Sequence, residues 1–171
     1  AAIGPFEHAL ALASRLGQHR REAALRNTLG ILEWERGAYA EALAHYEAAL
    51  GLIRGLGDRR HEGLALNSIG VTLSRLNRYD EARTALEDAL AVNRAAGERL
   101  LEAHTPAALG DVAQTLGRCE AALEYFDGSR AIRQEIDDRR GQAWMLHRLG
   151  RTHALMGNTA RAQASAAAAA R

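Results

Sequence analysis

Lysine is absent from this chain. All 22 basic residues are arginine, set against 21 acidic residues and a formal net charge of +1. So even a balance leaves no electrostatic footprint for nucleic acid or anionic lipid, and neither direct nucleic-acid binding nor membrane attachment is expected. The all-arginine usage, with abundant Ala, Gly and Leu, points to a GC-rich bacterial genome and says nothing about fold. Cys119 is the one cysteine, which excludes an intrachain disulfide and makes a reducing cytoplasm the expected compartment. No apolar run approaches the ~20 residues that span a bilayer, and the first residues lack the layout of a signal peptide. Strand patterns are missing too, so no glycine-rich phosphate loop can follow one.

What is present is repetition. Gly30, Gly70, Gly110 and Gly150 stand 40 apart, as do Leu29, Ile69, Leu109 and Leu149, and Ala42, Ala82, Ala122 and Ala162. A fixed period in the range of about 20–50 residues marks a solenoid, in which each unit touches only its neighbours. The register gives a partial unit over 1–15 and units over 16–55, 56–95, 96–135 and 136–171, and these form a single fragment that opens and closes on second helices. About nine antiparallel helices without a capping repeat are expected, and the fragment reads as a piece of a longer protein.

Two helical patterns fill each unit. Leu66, Ile69, Gly70 and Leu73 lie at i, i+3, i+4 and i+7, one face of a helix from Arg59 to Leu76. Ala82, Leu86, Ala89 and Leu90 form a second stripe, on a helix from Tyr79 to Ala95. Gly37, Asn77, Gly117 and Gly157 end the first helices, and Gly17, Gly57 and Gly97 the second, as residues that tolerate a left-handed conformation. Asp58 and Glu98 then place carboxylates at the next helix start. Gly70 allows close helix approach while Tyr46, Leu86 or Phe126 fills the space beside the small residues. Ala166 stands in that bulky column, so either the last helix is weakly packed or its alanines stand in for other side chains. The third unit is irregular: Pro106 predicts a fresh helix start at Thr105-Pro106 after a short turn, or a kink. Gly128 weakens the following helix by ~1 kcal/mol relative to Ala.

These columns resemble the tetratricopeptide repeat. Its motif has a large residue three before Leu-Gly, another three after Gly, then Ala, an aromatic four later and Ala three after that. Leu66, Ile69, Gly70, Leu73, Ala82, Leu86 and Ala89 follow it, as do Leu29, Gly30, Ala42, Tyr46 and Ala49. The period exceeds the family's usual 34 residues and is similar to the long repeats of kinesin light chains and of bacterial multidomain signalling and transcription regulators. The resemblance implies an all-α fold, a right-handed α-α superhelix whose first helices line a concave groove.

The groove columns are Ala24, Leu64, His104 and Trp144; Asn27, Asn67, Ala107 and His147; Ile31, Val71, Asp111 and Arg151; and Trp34, Ser74, Gln114 and Ala154. Asn27 and Asn67 can each offer a donor and an acceptor to the backbone of an extended peptide, as in similar repeat families, or bond instead to neighbouring helices or water. Trp34 and Trp144 are either interface anchors or fillers between helices. Asp111 and Arg151, one unit apart, are placed to pair with each other for ~1 kcal/mol or less. Arg20, Arg60 and Arg140 open successive first helices, where positive charge opposes the helix dipole. Asp58, Glu62, Asp137 and Asp138 are near enough to compensate them; the alternative is an acidic or C-terminal carboxylate ligand.

No catalytic constellation emerges. His147 and His153 fall on different helix faces rather than at metal-ligand spacing, so no metal and no cofactor are expected, and the chain is not read as an enzyme. The expected function is binding of a protein or extended peptide segment through the groove, as the sensor or scaffold part of a larger cytoplasmic regulator. A receptor gated by a peptide or small molecule, and a structural spacer that self-associates end to end, are the alternatives.

Overall fold

The structure, a computed structural model, describes residues 3–170. Among these residues there are nine helices and no strand: α1 (Ile3–Arg15), α2 (His19–Glu35), α3 (Tyr39–Gly55), α4 (Arg59–Arg75), α5 (Tyr79–Ala95), α6 (Arg99–Thr115), α7 (Cys119–Glu135), α8 (Arg139–Leu155) and α9 (Thr159–Ala169). The chemical period is 40 residues, yet the backbone repeats every 20. Each helix from α2 to α8 has 17 residues, and successive helices are separated by three.

One turn geometry accounts for this. After α2, the Gly37 N–H donates to the Trp34 carbonyl at 3.0 Å and the Ala38 N–H to the Glu33 carbonyl at 2.9 Å. This is the double bond pattern of a helix closed by a left-handed residue. It recurs after α1 and after each helix from α3 to α8. The left-handed residue is Gly at 17, 37, 57, 97, 117 and 157, Asn77 at φ 60° and Asp137 at φ 53°. Asn and Asp are the non-glycine residues that enter this region most readily. Asn77 was legible in the turn columns; Asp137 completes the series in which only glycines stood out.

The described residues fall into two compact units, the first running to Val92 and the second from Asn93. In the first, α1 packs on α2, α2 on α3 and α3 on α4; in the second, α6 packs on α7, α7 on α8 and α8 on α9. Glycine on the first helix of each pair fixes the approach. A Cβ on Gly30 would lie 2.6 Å from Tyr46 Cε1, one on Gly70 2.5 Å from Leu86 Cγ, and one on Gly110 2.5 Å from Phe126 Cε1. At Gly150 the nearest atom is the Ala162 carbonyl oxygen, 3.3 Å away, because small residues face it. Tyr46, Leu86 and Phe126 are buried, whereas α9 buries no residue fully.

The third unit removes the first of the two sequence expectations for Pro106. Helix α6 runs unbroken through Pro106, with no short turn before it and no new start at Thr105. Packing outweighs the lost backbone bond: Ala103, Thr105, Pro106 and Ala107 are all buried. Thr105 is also held from two sides, its Oγ1 donating to the Leu101 carbonyl at 3.1 Å and accepting from Asn93 Nδ2 at 3.4 Å. Gly128 likewise leaves α7 continuous.

Buried carboxylates tie second helices to the first helices that follow. Glu62 accepts from Arg54 Nε on α3 and from Arg59 Nη1 on α4, both at 2.8 Å. Glu102 repeats this with Arg94 and Arg99. The hydrogen bond from Arg54, and then that from Arg59, hold the Glu62 carboxyl below its usual range. At two helix starts a side chain caps the backbone: Asp58 accepts from the His61 N–H and Asp138 from the Gly141 N–H. Asp58 is lowered chiefly by the His61 side chain and backbone, Asp138 by the Gly141 N–H and by Arg133. A carboxyl lowered on folding contributes stability above its unfolded value, and that contribution is lost as pH falls through the lower folded value. Melting followed by far-UV circular dichroism should therefore give a lower Tm between neutral pH and about pH 3. Glu62→Gln should flatten that fall; an unchanged slope would remove Glu62 as a contributor.

Candidate functional site

The first unit holds a cavity of about 440 Å³ between α2, the end of α3 and the start of α4. Ala23, Ala24, Ile53, Leu56 and Leu64 give it an apolar lining, and Arg20, Asn27, Asp58 and His61 polar edges. His61 Nδ1 lies 2.8 Å from Asp58 Oδ2. Asn27, half-buried, thus borders a cavity large enough for a side chain.

Asn67 sits elsewhere. It lines a smaller cavity of about 160 Å³ with Trp34, Tyr46, Val71 and Thr72. Its Oδ1 is buried and accepts no hydrogen bond, an arrangement that normally costs about 1–3 kcal/mol. Trp34 forms this wall edge-on to Tyr39, with ring centroids 5.8 Å apart, and Arg75 lies 5.5 Å from the Trp34 ring. The hydroxyl of Tyr46 is pushed up to about 12 by burial and by the nearby Glu35. The two asparagines share a register but line different cavities.

In the second unit a cavity of about 410 Å³ is bounded by His104 on α6, Arg133 on α7, and Asp138, Arg140, Gly141 and Trp144 at the start of α8. Arg133 is buried, its Nε donating to Ser129 Oγ at 3.3 Å and its Nη1 to Asp138 Oδ2. Ser129 in turn donates to the Ala103 carbonyl at 2.7 Å. Desolvation first, then the positive field of Arg133, hold His104 below its usual value, against an opposing pull from Asp138. Trp144 is 50% exposed, and the Arg148 guanidinium stacks 4.5 Å from its ring centroid.

The expected Asp111–Arg151 pair does not form. Asp111 pairs with Arg148, and Arg151 donates to Gln114 Oε1. Gln114 Nε2 also donates to Thr152 Oγ1 at 2.7 Å, so the amide is committed at both ends. Stacking on Trp144 places Arg148 beside Asp111, which spacing along one column could not reveal. His147 is exposed and lines none of these cavities. The acidic residues assigned to Arg20, Arg60 and Arg140 are engaged by other groups: Glu62 by Arg54 and Arg59, Asp58 by His61, Asp138 by Arg133 and Asp137 by Arg139. Arg20 adds only a smaller electrostatic pull on Asp58. Arg60 and Arg140 are exposed on the first turns of α4 and α8.

Sequence reasoning missed Arg133, Arg148 and Ser129. Arg133 had a signal: its column reads Ala13, Ile53, Asn93, Arg133, all buried, so the core column turns polar along the chain. Among the described residues no group of His, Cys, Asp and Glu could hold a metal ion, and no helix is long and apolar enough to cross a membrane.

The tetratricopeptide repeat family model matches residues 21–95 and 100–171. The chain belongs to that family. A tetratricopeptide repeat chain is a protein-interaction fold, and the comparison with solved structures agrees on architecture. BtubC (BKLC) from P. vanneervenii is similar at 22% identity and a TM-score of 0.81, over 95% of this chain and 68% of that one. A Rap protein complexed with competence and sporulation factor matches at 18% identity and 0.83, over 96% and 46%. A putative kinesin light chain repeat protein from Podospora anserina matches at 16% and 0.81, over 98% and 83%. At such identities the likeness concerns the fold, and the repeats span less than half of the Rap chain. No curated protein matches the sequence.

Proposed function

We propose that these tetratricopeptide repeats bind an extended peptide segment of a protein partner, as the sensing or scaffolding part of a larger bacterial cytoplasmic regulator. The observation that carries the reading is Asn67. Its Oδ1 is buried without a partner while the residue lines the cavity beside Trp34, so a turn of the amide toward that cavity would let a peptide N–H supply the missing donor at the site of an aromatic anchor. Asn27, at the same register one repeat earlier, borders the larger apolar cavity and can hold a second stretch of backbone. A receptor gated by a peptide or small molecule is a second form of the same reading, supported by the similar fold of the Rap protein complexed with competence and sporulation factor.

Replacing Asn27 and Asn67 together by Ala should weaken peptide binding about tenfold or more in fluorescence polarisation with partner-derived peptides, and leave the helical signal intact. Gly70→Leu should abolish helicity and binding together, because the added side chain meets Leu86 and the Ala82 carbonyl. Unchanged affinity in the asparagine pair would rule out the ladder.

A further inference from the structure

The cavities beside Asn27 and Arg133 are one architectural pocket, read out twice with different chemistry. Adding 80 to each number carries Ala24, Ile53, Asp58, His61 and Leu64 onto His104, Arg133, Asp138, Gly141 and Trp144, and the two volumes are similar, about 440 and 410 Å³. Asp stays at the helix start in both. The other four positions change: Ala24 becomes an imidazole, aliphatic Ile53 a guanidinium, His61 a glycine and Leu64 an indole.

A buried guanidinium needs a reason, because apolar residues fill the same position without the desolvation cost. Arg133 is 4% exposed where Ile53 is 7% exposed. Asp138 neutralises part of its charge, but Nε and Nη1 alone are committed to Ser129 and Asp138. Nη2 is left as the remaining donor pair at the cavity that Arg133 lines. Gly141 makes room for this arrangement: a Cβ there would lie 2.2 Å from Arg133 Nη1, whereas the first-unit pocket carries His61 at that place. At the mouth, Arg140 has no ion-pair partner among the described residues. The charges facing the cavity are therefore two arginines against one aspartate, with the His104 imidazole on the remaining wall. Trp144, half exposed, adds an apolar plate.

We infer that this second-unit pocket is a carboxylate site, which seats an ionised carboxylate on Arg133 Nη2 and Arg140 and the apolar group next to it on Trp144. Guanidinium–carboxylate bonds are the strong, geometrically selective kind. The inference rests on the reading of the chain as a peptide binder and assigns one anchor of that peptide. The carboxylate comes either from a chain terminus or from an acidic side chain.

With two tryptophans in the chain, each indole N–H is a resolved reporter in a ¹⁵N-labelled sample, assigned by Trp34→Phe. The intact protein is titrated with N-acetyl-leucine, with N-acetyl-leucinamide, and with the α-amide of N-acetyl-glutamate. A saturable shift of the Trp144 indole by either carboxylate probe, with the leucinamide at least about tenfold weaker, supports the site; the stronger carboxylate probe identifies terminus or side chain. Arg140→Gln, an exposed change, should weaken the better probe by a similar factor. Equal response to the leucinamide, no shift with any probe, or an unaltered Arg140→Gln titration would overturn it. None of those outcomes touches the asparagine result in the first unit, so failure of this pocket and failure of peptide binding are separable.

Discussion

Phe126→Ala is expected to lower unfolding stability by about 3–5 kcal/mol, the range for removing a buried aromatic ring. Phe126 is 0% exposed and its ring occupies the space that Gly110 leaves. The two positions are thereby coupled, with opposite signs alone and together. Gly110→Ala by itself should destabilise by up to about 2 kcal/mol, the overpacking cost of about 1–3 kcal/mol being partly offset by a helix-propensity gain of about 1 kcal/mol. In the Phe126→Ala background the same methyl enters the vacated cavity, and Gly110→Ala should become stabilising. Urea denaturation of the four proteins in a double-mutant cycle measures this, and an interaction energy within about 0.3 kcal/mol of zero would contradict the close approach. Gly150→Ala serves as the contrast, since its nearest neighbours at 3.3 Å need give only slightly, the helix-propensity gain of about 1 kcal/mol offsets this, and the change should be nearly neutral.

Arg133→Ala should cost about 2–4 kcal/mol, toward the lower end for a broken buried ion pair. The reason for the lower end is that Asp138 keeps 25% of its side chain in solvent and retains the Gly141 N–H as donor. Arg133→Ile should cost less than Arg133→Ala, because Ile53 fills the same register in the first unit and leaves no cavity. The reverse exchange, Ile53→Arg, should be worse than either, since Asp58 is already engaged by His61 and His61 occupies the register at which Gly141 leaves room for Arg133. Matching losses for Arg133→Ile and Arg133→Ala in chemical denaturation would show that packing is irrelevant at this position.

The helices and turns were legible because the residues that build them must repeat. Leu66, Ile69 and Leu73 announce a buried stripe at 3.6-residue spacing, and Gly37 or Asn77 announces a left-handed end; each is a local signal on a local element. Pro106 shows the limit of local reasoning. Its preference to start a helix is real, yet Ala103, Thr105 and Ala107 are buried on the same turns, and tertiary packing decides. The candidate site was less legible, since it depends on which side chains meet across helices. Asp111 and Arg151 share a column and suggested a pair. The stacking of Arg148 on Trp144 redirects Asp111, and no one-dimensional spacing encodes that. Arg133 was hidden for another reason: an arginine in a sequence with 22 of them reads as solvated surface unless its column is followed back to Ile53 and Ala13.

Uniform helix length, with three residues between one helix and the next, sets a rule for how this chain tolerates length change. One residue added inside a helix rotates everything after it by ~100° about that helix axis. The stripe ending in Leu73 or Ile132 would then leave its neighbour. A residue added to a turn displaces the left-handed position from the backbone pattern that closes these helices. Viable insertions and deletions in this chain are therefore quantised: whole blocks of 40 residues preserve both backbone and chemistry, and blocks of 20 preserve the backbone while exchanging glycine-bearing helices for the bulky ones that need them.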